Sequence, residues 1–422
     1  MKNSSATRRD AGYLYYSAVV FFLYCALSCS AFTVALYDSR GISGTQVGIL
    51  LAAASAVSIF SPPAMGLLAD KLRSKRRTLM LCLALGGVTD LLLPLFAGSF
   101  WPLLGVSVVG NAFRGATFTL FDAWLVSEAS VAGRKLEYGS VRLWGSIGYS
   151  LFNLCYSAIT EVLGSVDIAF YLGGALMLLT ALFCLLGAGR ETAAPQAGKK
   201  ALSLRELRPQ RLLHNYYFIA FFFVFILINV AKDFGVSYFS YLLAELGRSS
   251  SDVGLLNGLK AAAEVPLMFA AGWLVRRFGY RTCIFSVGIL YAAEHLCYAF
   301  ANSMGILIGA QILHGAFSGL FMGISASYLY TLIPASLSTT AHALAIGGSN
   351  VLSVLGNLGS GYLLESAGVR TLYQCMAVPP ALAVLIFAVT LIVGKARHIA
   401  PYDSTQDALE CALSRPAADS VS

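Results

Sequence analysis

Ten ionisable side chains stand inside long apolar runs of this sequence: Asp90, Arg114, Asp122, Arg142, Lys232, Asp233, Lys260, Glu264, Glu294 and His314. A charge placed in hydrocarbon costs at least about 2.5 kcal/mol on insertion scales, so such residues need either a task or a partner. Asp122 and Arg142 form the pair with the clearest chemistry. A carboxylate accepts two hydroxyl protons and a guanidinium offers a rigid fork of donors, so together they can grip vicinal hydroxyls. The competing reading is a structural ion pair between two helices. Arg114 precedes Asp122 by eight residues, about 80° around a helix, so the two share a broad face, and Arg114 with Asn111 can line the same space. Trp144 and Tyr149 lie close to Arg142 and can stack on a ring, or anchor the helix at an interface.

Lys260 and Glu264 are one turn apart on one helix face, where they either neutralise each other or leave Glu264 free to carry a proton. Glu294 and His314 form a second acid–base set, and histidine titrates near neutrality, as proton coupling requires. A buried histidine is also often a hydrogen-bonded core residue. Lys232 and Asp233 are adjacent, point to different faces and are expected to pair with other helices. Asp90 gives no clear sign of its role.

The elements that must position these groups follow from composition. The chain has 422 residues, 57% of them hydrophobic and only 12% charged, with a mean hydropathy of +0.72. That charge content is about half of what a soluble domain uses to cover its surface, so the class is membrane. A bilayer core of roughly 30 Å takes about 20 apolar residues in a helix. Stretches of that size lie near 13–37, 45–69, 78–97, 101–127, 141–160, 168–188, 215–241, 253–275, 282–301, 304–333, 341–363 and 373–394. The first is expected to be retained, since no small-residue cleavage site follows it. The cysteines read as small hydrophobes, without a disulfide or metal pattern.

The longest polar interruption divides twelve helices into six plus six. The expected organisation is a bundle at 1–189, a cytoplasmic loop at 190–214, a second bundle at 215–394 and a cytoplasmic tail at 395–422. Basic residues crowd one set of loops, while the other set holds only Arg40, Arg248 and Arg370. This bias places both termini inside, and moves the basic net charge of +8 from nucleic acid to membrane orientation. The halves also repeat. Val47-Gly48-Ile49-Leu50 matches Val253-Gly254-Leu255-Leu256, and the same offset carries Gly66 onto Gly272. A duplicated six-helix unit suits a carrier whose halves rock about a central site.

Gly66-Leu-Leu-Ala-Asp70-Lys71-Leu-Arg73-Ser-Lys75-Arg76-Arg77 resembles the loop between helices 2 and 3 of the major facilitator superfamily, with Arg73 where a Gly is usual. Gly272-Trp-Leu-Val-Arg276-Arg277-Phe-Gly279 is a weaker second copy, with Arg276 in place of the Asp. Here Gly66 allows close helix approach, and Asp70 with Lys71 forms a gate latch. Glu137-Tyr138-Gly139-Ser-Val-Arg142-Leu-Trp144-Gly145 resembles the start of helix 5 in the lactose permease group and its nucleoside and phenylpropionate symporter relatives. Leu313-His314 is similar to that group's proton-coupling region, although the position matching Glu294 is an Arg there, and Phe317 replaces a Glu. Gly361-Tyr-Leu-Leu-Glu365-Ser366-Ala-Gly368 resembles the loop between helices 11 and 12.

The resemblance implies an all-α membrane protein of twelve helices in two pseudo-symmetric bundles. Asp122 and Arg142 match the group's sugar contacts, the acid after an insertion of two residues. Arg114, Asn111, Trp144 and Tyr149 join them as candidate substrate residues, with Lys260, Glu264, Glu294 and His314 for proton coupling. The implied function is proton-coupled symport of a sugar, oligosaccharide or nucleoside at a bacterial inner membrane, by a monomer, with no cofactor, metal or nucleic acid. An aromatic acid importer and a proton-antiport efflux carrier are the alternatives, and the absence of Pro from helix 5 speaks against efflux. No P-loop, Gly-x-Ser-x-Gly, His-Glu-x-x-His or Cys-x-x-Cys occurs, so an enzyme is not expected.

Overall fold

The computed structural model describes residues 2–129, 138–186, 215–333 and 337–399. The expected central loop at 190–214, the tail beyond 399, and Arg134, Lys135 and Glu137 lie outside them. The first crossing, α1, joins Lys2–Leu27 to Thr33–Ser39 through a 3-10 turn at Ser28–Phe32. Ser28 and Ser30 cause the bend: their hydroxyls donate to the carbonyls of Cys25 and Leu27, competing with the helical ladder. Then follow α2 (Gly44–Lys71), α3 (Lys75–Phe96), α4 (Phe100–Ala129), α5 (Tyr138–Leu163) and α6 (Asp167–Leu186). Ser43 opens α2 with a capping box to Gln46, and Ser74 caps α3 through the Arg77 amide.

The second half begins with α7 (Tyr216–Ser237, continued as Phe239–Glu245). The run Asp252–Ala299 holds two crossings, α8 at 252–278 and α9 at 280–299, broken at Gly279. After α10 (Met304–Thr331), Ser338–Met376 is broken in the same way at Gly368, giving α11 at 338–367 and the start of α12, which continues as Val378–Ala396. Among the described residues, nine runs are long and apolar enough to span a bilayer, and two of them are these double-length runs. The Gly-, Ser- and Tyr-rich α5 completes twelve. Gly279 and Gly368 turn the chain at φ 79° and 80°, where a side chain would be strained. In the first half the position matching Gly279 is Arg73, held at φ 49° at a cost of roughly 1–2 kcal/mol. That explains the Gly usual there.

Each half has its own apolar core: Val19, Leu83 and Trp124 in the first, Phe221, Tyr291 and Phe321 in the second. A third core joins the halves at the face opposite the basic loops, where Phe32 and Tyr156 meet Val253, Phe239 and Tyr373. Along this seam α2 packs on α11 and α5 on α8. A Cβ at Gly361 would stand 2.6 Å from both the Gly44 carbonyl and the Gly48 Cα. Among the described residues, hydrogen bonds crossing the seam include Thr45 N–H to Glu365 (2.8 Å), Asn357 to Ser55 (3.1 Å), Ser150 to the Gly258 carbonyl (2.8 Å) and Ser157 to the Ser251 carbonyl (2.7 Å). At the basic face the halves are parted. Nothing lies within 4 Å of a Cβ at Gly66, and Gly272 meets only its own Arg276. The expected close approach at Gly66 is therefore unmade in this conformation, and Asp70 has no side-chain hydrogen bond among the described residues. Arg77 gives its amide to the Ser74 cap, while Lys75 and Arg76 reach the carbonyls of Ala123 and Leu185.

Candidate functional site

Between the halves lies a cavity of about 1060 Å³, lined by α1, α2, α4 and α5 on one side and α7, α8 and α10 on the other. It ends below the sealed seam. Asp122 on α4 and Arg142 on α5 face it, with Arg142 Nε 3.8 Å from Asp122 Oδ1. The guanidinium carbon sits 4.3 Å from the centre of the Tyr24 ring, a cation–π contact that fixes its plane. Gly145 makes room for that ring, since a Cβ there would stand 2.9 Å from it. Tyr138 and Tyr149 line the same wall.

Exposure separates two kinds of ion pair. Asp122 and Arg142 keep 36% and 29% of their side-chain surface, so water screens their attraction and a ligand can reach both. Arg114 Nη1 contacts Asp90 Oδ1 at 2.6 Å, with the two side chains only 10% and 1% exposed. This second pair is internal to the first half, with Cys29 Sγ 3.9 Å from the other Asp90 oxygen. Arg114 and Asn111 both border the cavity, but Arg114 is held by Asp90, the partner that the sequence did not reveal.

The opposite wall carries Lys232, Asp233, Lys260 and Glu264. Lys232 and Asp233 correct the sequence reading. They lie 3.7 Å from each other, and both face the cavity. Neighbours on a helix are only about 100° apart, and the lysine stem bends back across that angle. No ion pair joins Lys260 to Glu264 among the described residues, so both are open to the cavity. Asn257, one turn before Lys260, adds an amide.

Three expected site residues lie elsewhere. Trp144 is two residues, about 200°, from Arg142 and so points away from the cavity, where its indole N–H donates to Tyr13 at 3.2 Å. Glu294 and His314 contact each other at 2.7 Å inside the second half, each 1% exposed, and neither lines the cavity. The two acid–base sets expected from sequence are thus separate in space, Lys260 and Glu264 on the cavity wall and Glu294 with His314 behind it.

An apolar-walled cavity between two repeated bundles, with charged groups converging from both, is the geometry of a solute carrier. Comparison with known proteins agrees. The MFS_1 like family matches residues 13–375. A maltose permease from Geobacillus stearothermophilus is 27% identical over 91% of this chain and 95% of its own. A raffinose permease from Escherichia coli is 24% identical over 92% and 95%. The crystal structure of the nucleoside transporter NupG superposes with a TM-score of 0.77 at 17% identity, covering 90% of this chain and 98% of that one. The chain belongs to the MFS_1 like family, and it is a multi-pass membrane transporter of the major facilitator fold.

Proposed function

We propose that this protein is a proton-coupled sugar symporter of the inner membrane, working as a monomer by alternating access. Asp122 and Arg142 facing Lys260 and Glu264 across one cavity carry this reading, supported by the permeases it resembles. The volume accommodates a disaccharide or trisaccharide with water. Sugar hydroxyls donate to Asp122 and accept from Arg142, while the Tyr24 ring holds the guanidinium in place. Lys260 and Glu264 meet the solute from the other half, so a bound sugar draws the halves together. With the basic face cytoplasmic, as are both termini, the conformation described is open inward. Closure there brings Gly66 and Gly272 against neighbouring helices and gives Asp70 and Lys71, Arg276 and Arg277 their partners.

The test is equilibrium binding of maltose, raffinose, a nucleoside and an aromatic acid to purified carrier, by calorimetry. Removing one charged hydrogen-bonding partner costs about 1.5–3 kcal/mol, so Asp122→Asn should weaken the sugar Kd by roughly 10- to 150-fold. An unchanged Kd in both Asp122→Asn and Arg142→Gln would exclude this wall as the sugar site. Binding of the nucleoside or the aromatic acid alone would exclude the substrate class.

A further inference from the structure

The basic side chains described on the cavity wall are unevenly supplied with partners. Arg114 has Asp90 at 2.6 Å, Arg142 has Asp122 at 3.8 Å and Lys232 has Asp233 at 3.7 Å. Lys260 lines the same cavity and has no ion pair or hydrogen bond among the described residues. An ammonium held away from bulk water without a partner is costly, so this one needs a task. The charges that act on it are Glu264, one turn along the same face and out of ion-pair reach, Lys232 and Asp233 of α7, already joined to each other, and Glu294 behind α10.

Packing fixes where Lys260 stands. A Cβ at Gly315 of α10 would run into the Lys260 carbonyl, so α8 and α10 meet backbone to backbone at this turn. Leu103 of α4 and Val253 of α8 both belong to the core that seals the seam. At a helical rise of about 1.5 Å per residue, Lys260 lies about 10 Å along α8 from Val253, whereas Asp122 lies about 28 Å along α4 from Leu103. Lys260 is therefore near the closed end of the cavity, and Asp122 with Arg142 toward the open end. Asn257, one turn nearer the seam, lines the cavity beside it.

One cation without a partner selects the charge of its ligand. A carboxylate brings a single negative charge, while a phosphate brings about 1.5 to 2 at neutral pH and needs a second free cation. Arg142 and Lys232 do not supply one, because Asp122 and Asp233 already answer them. We infer that Lys260 is the seat of a single carboxylate on the solute, and that the substrate is an acidic sugar whose hydroxyls meet Asp122 and Arg142. The ammonium is a compact charge with three donors, so it takes a carboxylate without demanding a fixed plane. The carboxylate stays ionised and Lys260 stays protonated, so no covalent bond changes. A neutral sugar fills the same cavity and leaves Lys260 unanswered.

This inference rests on the sugar reading and names its substrate class, and the experiment separates the two. Full-length carrier, Lys260→Met and Lys260→Arg are titrated by calorimetry with four probes. These are maltose, its uronic-acid counterpart (a carboxylate in place of the terminal hydroxymethyl), glucose 6-phosphate and phenylpropionate. One charge-assisted hydrogen bond separates the first two probes, so the wild-type Kd for the acid should be about 10- to 150-fold below that for maltose. That ratio should shrink to within about threefold in Lys260→Met and return in Lys260→Arg, whatever either change does to maltose itself. Equal wild-type affinity for maltose and its acid would overturn the inference and leave the sugar reading in place. So would a preference for the acid that survives in Lys260→Met, or tighter binding of glucose 6-phosphate than of the acid. Phenylpropionate bound with neither sugar bound would remove the sugar reading, and this substrate class with it.

Discussion

Adding one methyl group at Gly361 should turn the carrier outward. Its Cβ would meet three backbone atoms of α2 at 2.6–2.9 Å, namely the Gly44 carbonyl and the Gly48 Cα and amide nitrogen. Backbone of two packed helices cannot yield as a flexible side chain does, so the contact is relieved by separating α2 from α11. Overpacking of this size costs typically 1–3 kcal/mol. The cost falls on the sealed state alone, so the equilibrium shifts by about 5- to 150-fold at 1.4 kcal/mol per decade. Gly359 supplies the control, because a Cβ there meets nothing within 4 Å. Leu50 lines the cavity and reports its access. With exposed Cys297 and Cys375 replaced by Ser, Leu50→Cys would be labelled by an impermeant maleimide added to right-side-out vesicles. Gly361→Ala should raise the labelling rate about tenfold or more, and Gly359→Ala should leave it unchanged. The reasoning is refuted if both variants respond alike, or if Gly361→Ala lowers the melting temperature while labelling stays constant.

Three further outcomes follow from particular contacts. Arg73→Gly should stabilise the carrier by about 1 kcal/mol, because it relieves a left-handed backbone, read as a higher melting temperature with unchanged sugar affinity. Asp90→Asn leaves Arg114 buried beside a neutral partner and should cost about 3–5 kcal/mol of stability, whereas replacing both by apolar residues of similar size should cost far less, as compared by thermal unfolding in detergent. Trp144→Phe should leave the sugar Kd within about twofold, since removing one exposed hydrogen bond to Tyr13 is worth at most about 1.5 kcal/mol and acts away from the cavity; a large loss of affinity would place Trp144 in the site after all.

Much of the fold was legible in the sequence, because crossing a bilayer demands a length and polarity that few other segments share. Twelve apolar stretches and their six-plus-six division emerge from hydropathy and loop charge alone. The ends were less readable. Nothing in composition says that α8 and α9 continue through Gly279 with only a local reversal, or that paired prolines at 379 and 380 set the break at Ala377. Arg73 reads in the sequence only as a departure from a pattern, and its φ of 49° gives that departure its meaning.

The site was legible where one helix or one motif held it, and obscure where helices had to meet. Arg142 stood out through its motif and Asp122 through its charge. Asp90 could not be matched to Arg114, because pairing depends on how α3 crosses α4. Tyr24 looks like any of the many aromatic residues in the sequence, although its ring sets the guanidinium plane. Trp144 is close to Arg142 in sequence, but the angle around the helix turns it away from the cavity. Glu294 and His314 share a candidate role with Glu264 in the sequence, yet only Glu264 lines the cavity, because a sequence does not say which side of a helix a titratable residue occupies.

The central claim is that sugar and proton move together through the site built on Asp122, Arg142 and Glu264. Its most direct test is the external pH of lightly buffered liposomes, carrying purified protein, when maltose or raffinose is added. The account predicts alkalinisation outside with the transported sugar, lost in Asp122→Asn and in Glu264→Gln. Uptake of labelled sugar with no pH change would contradict it.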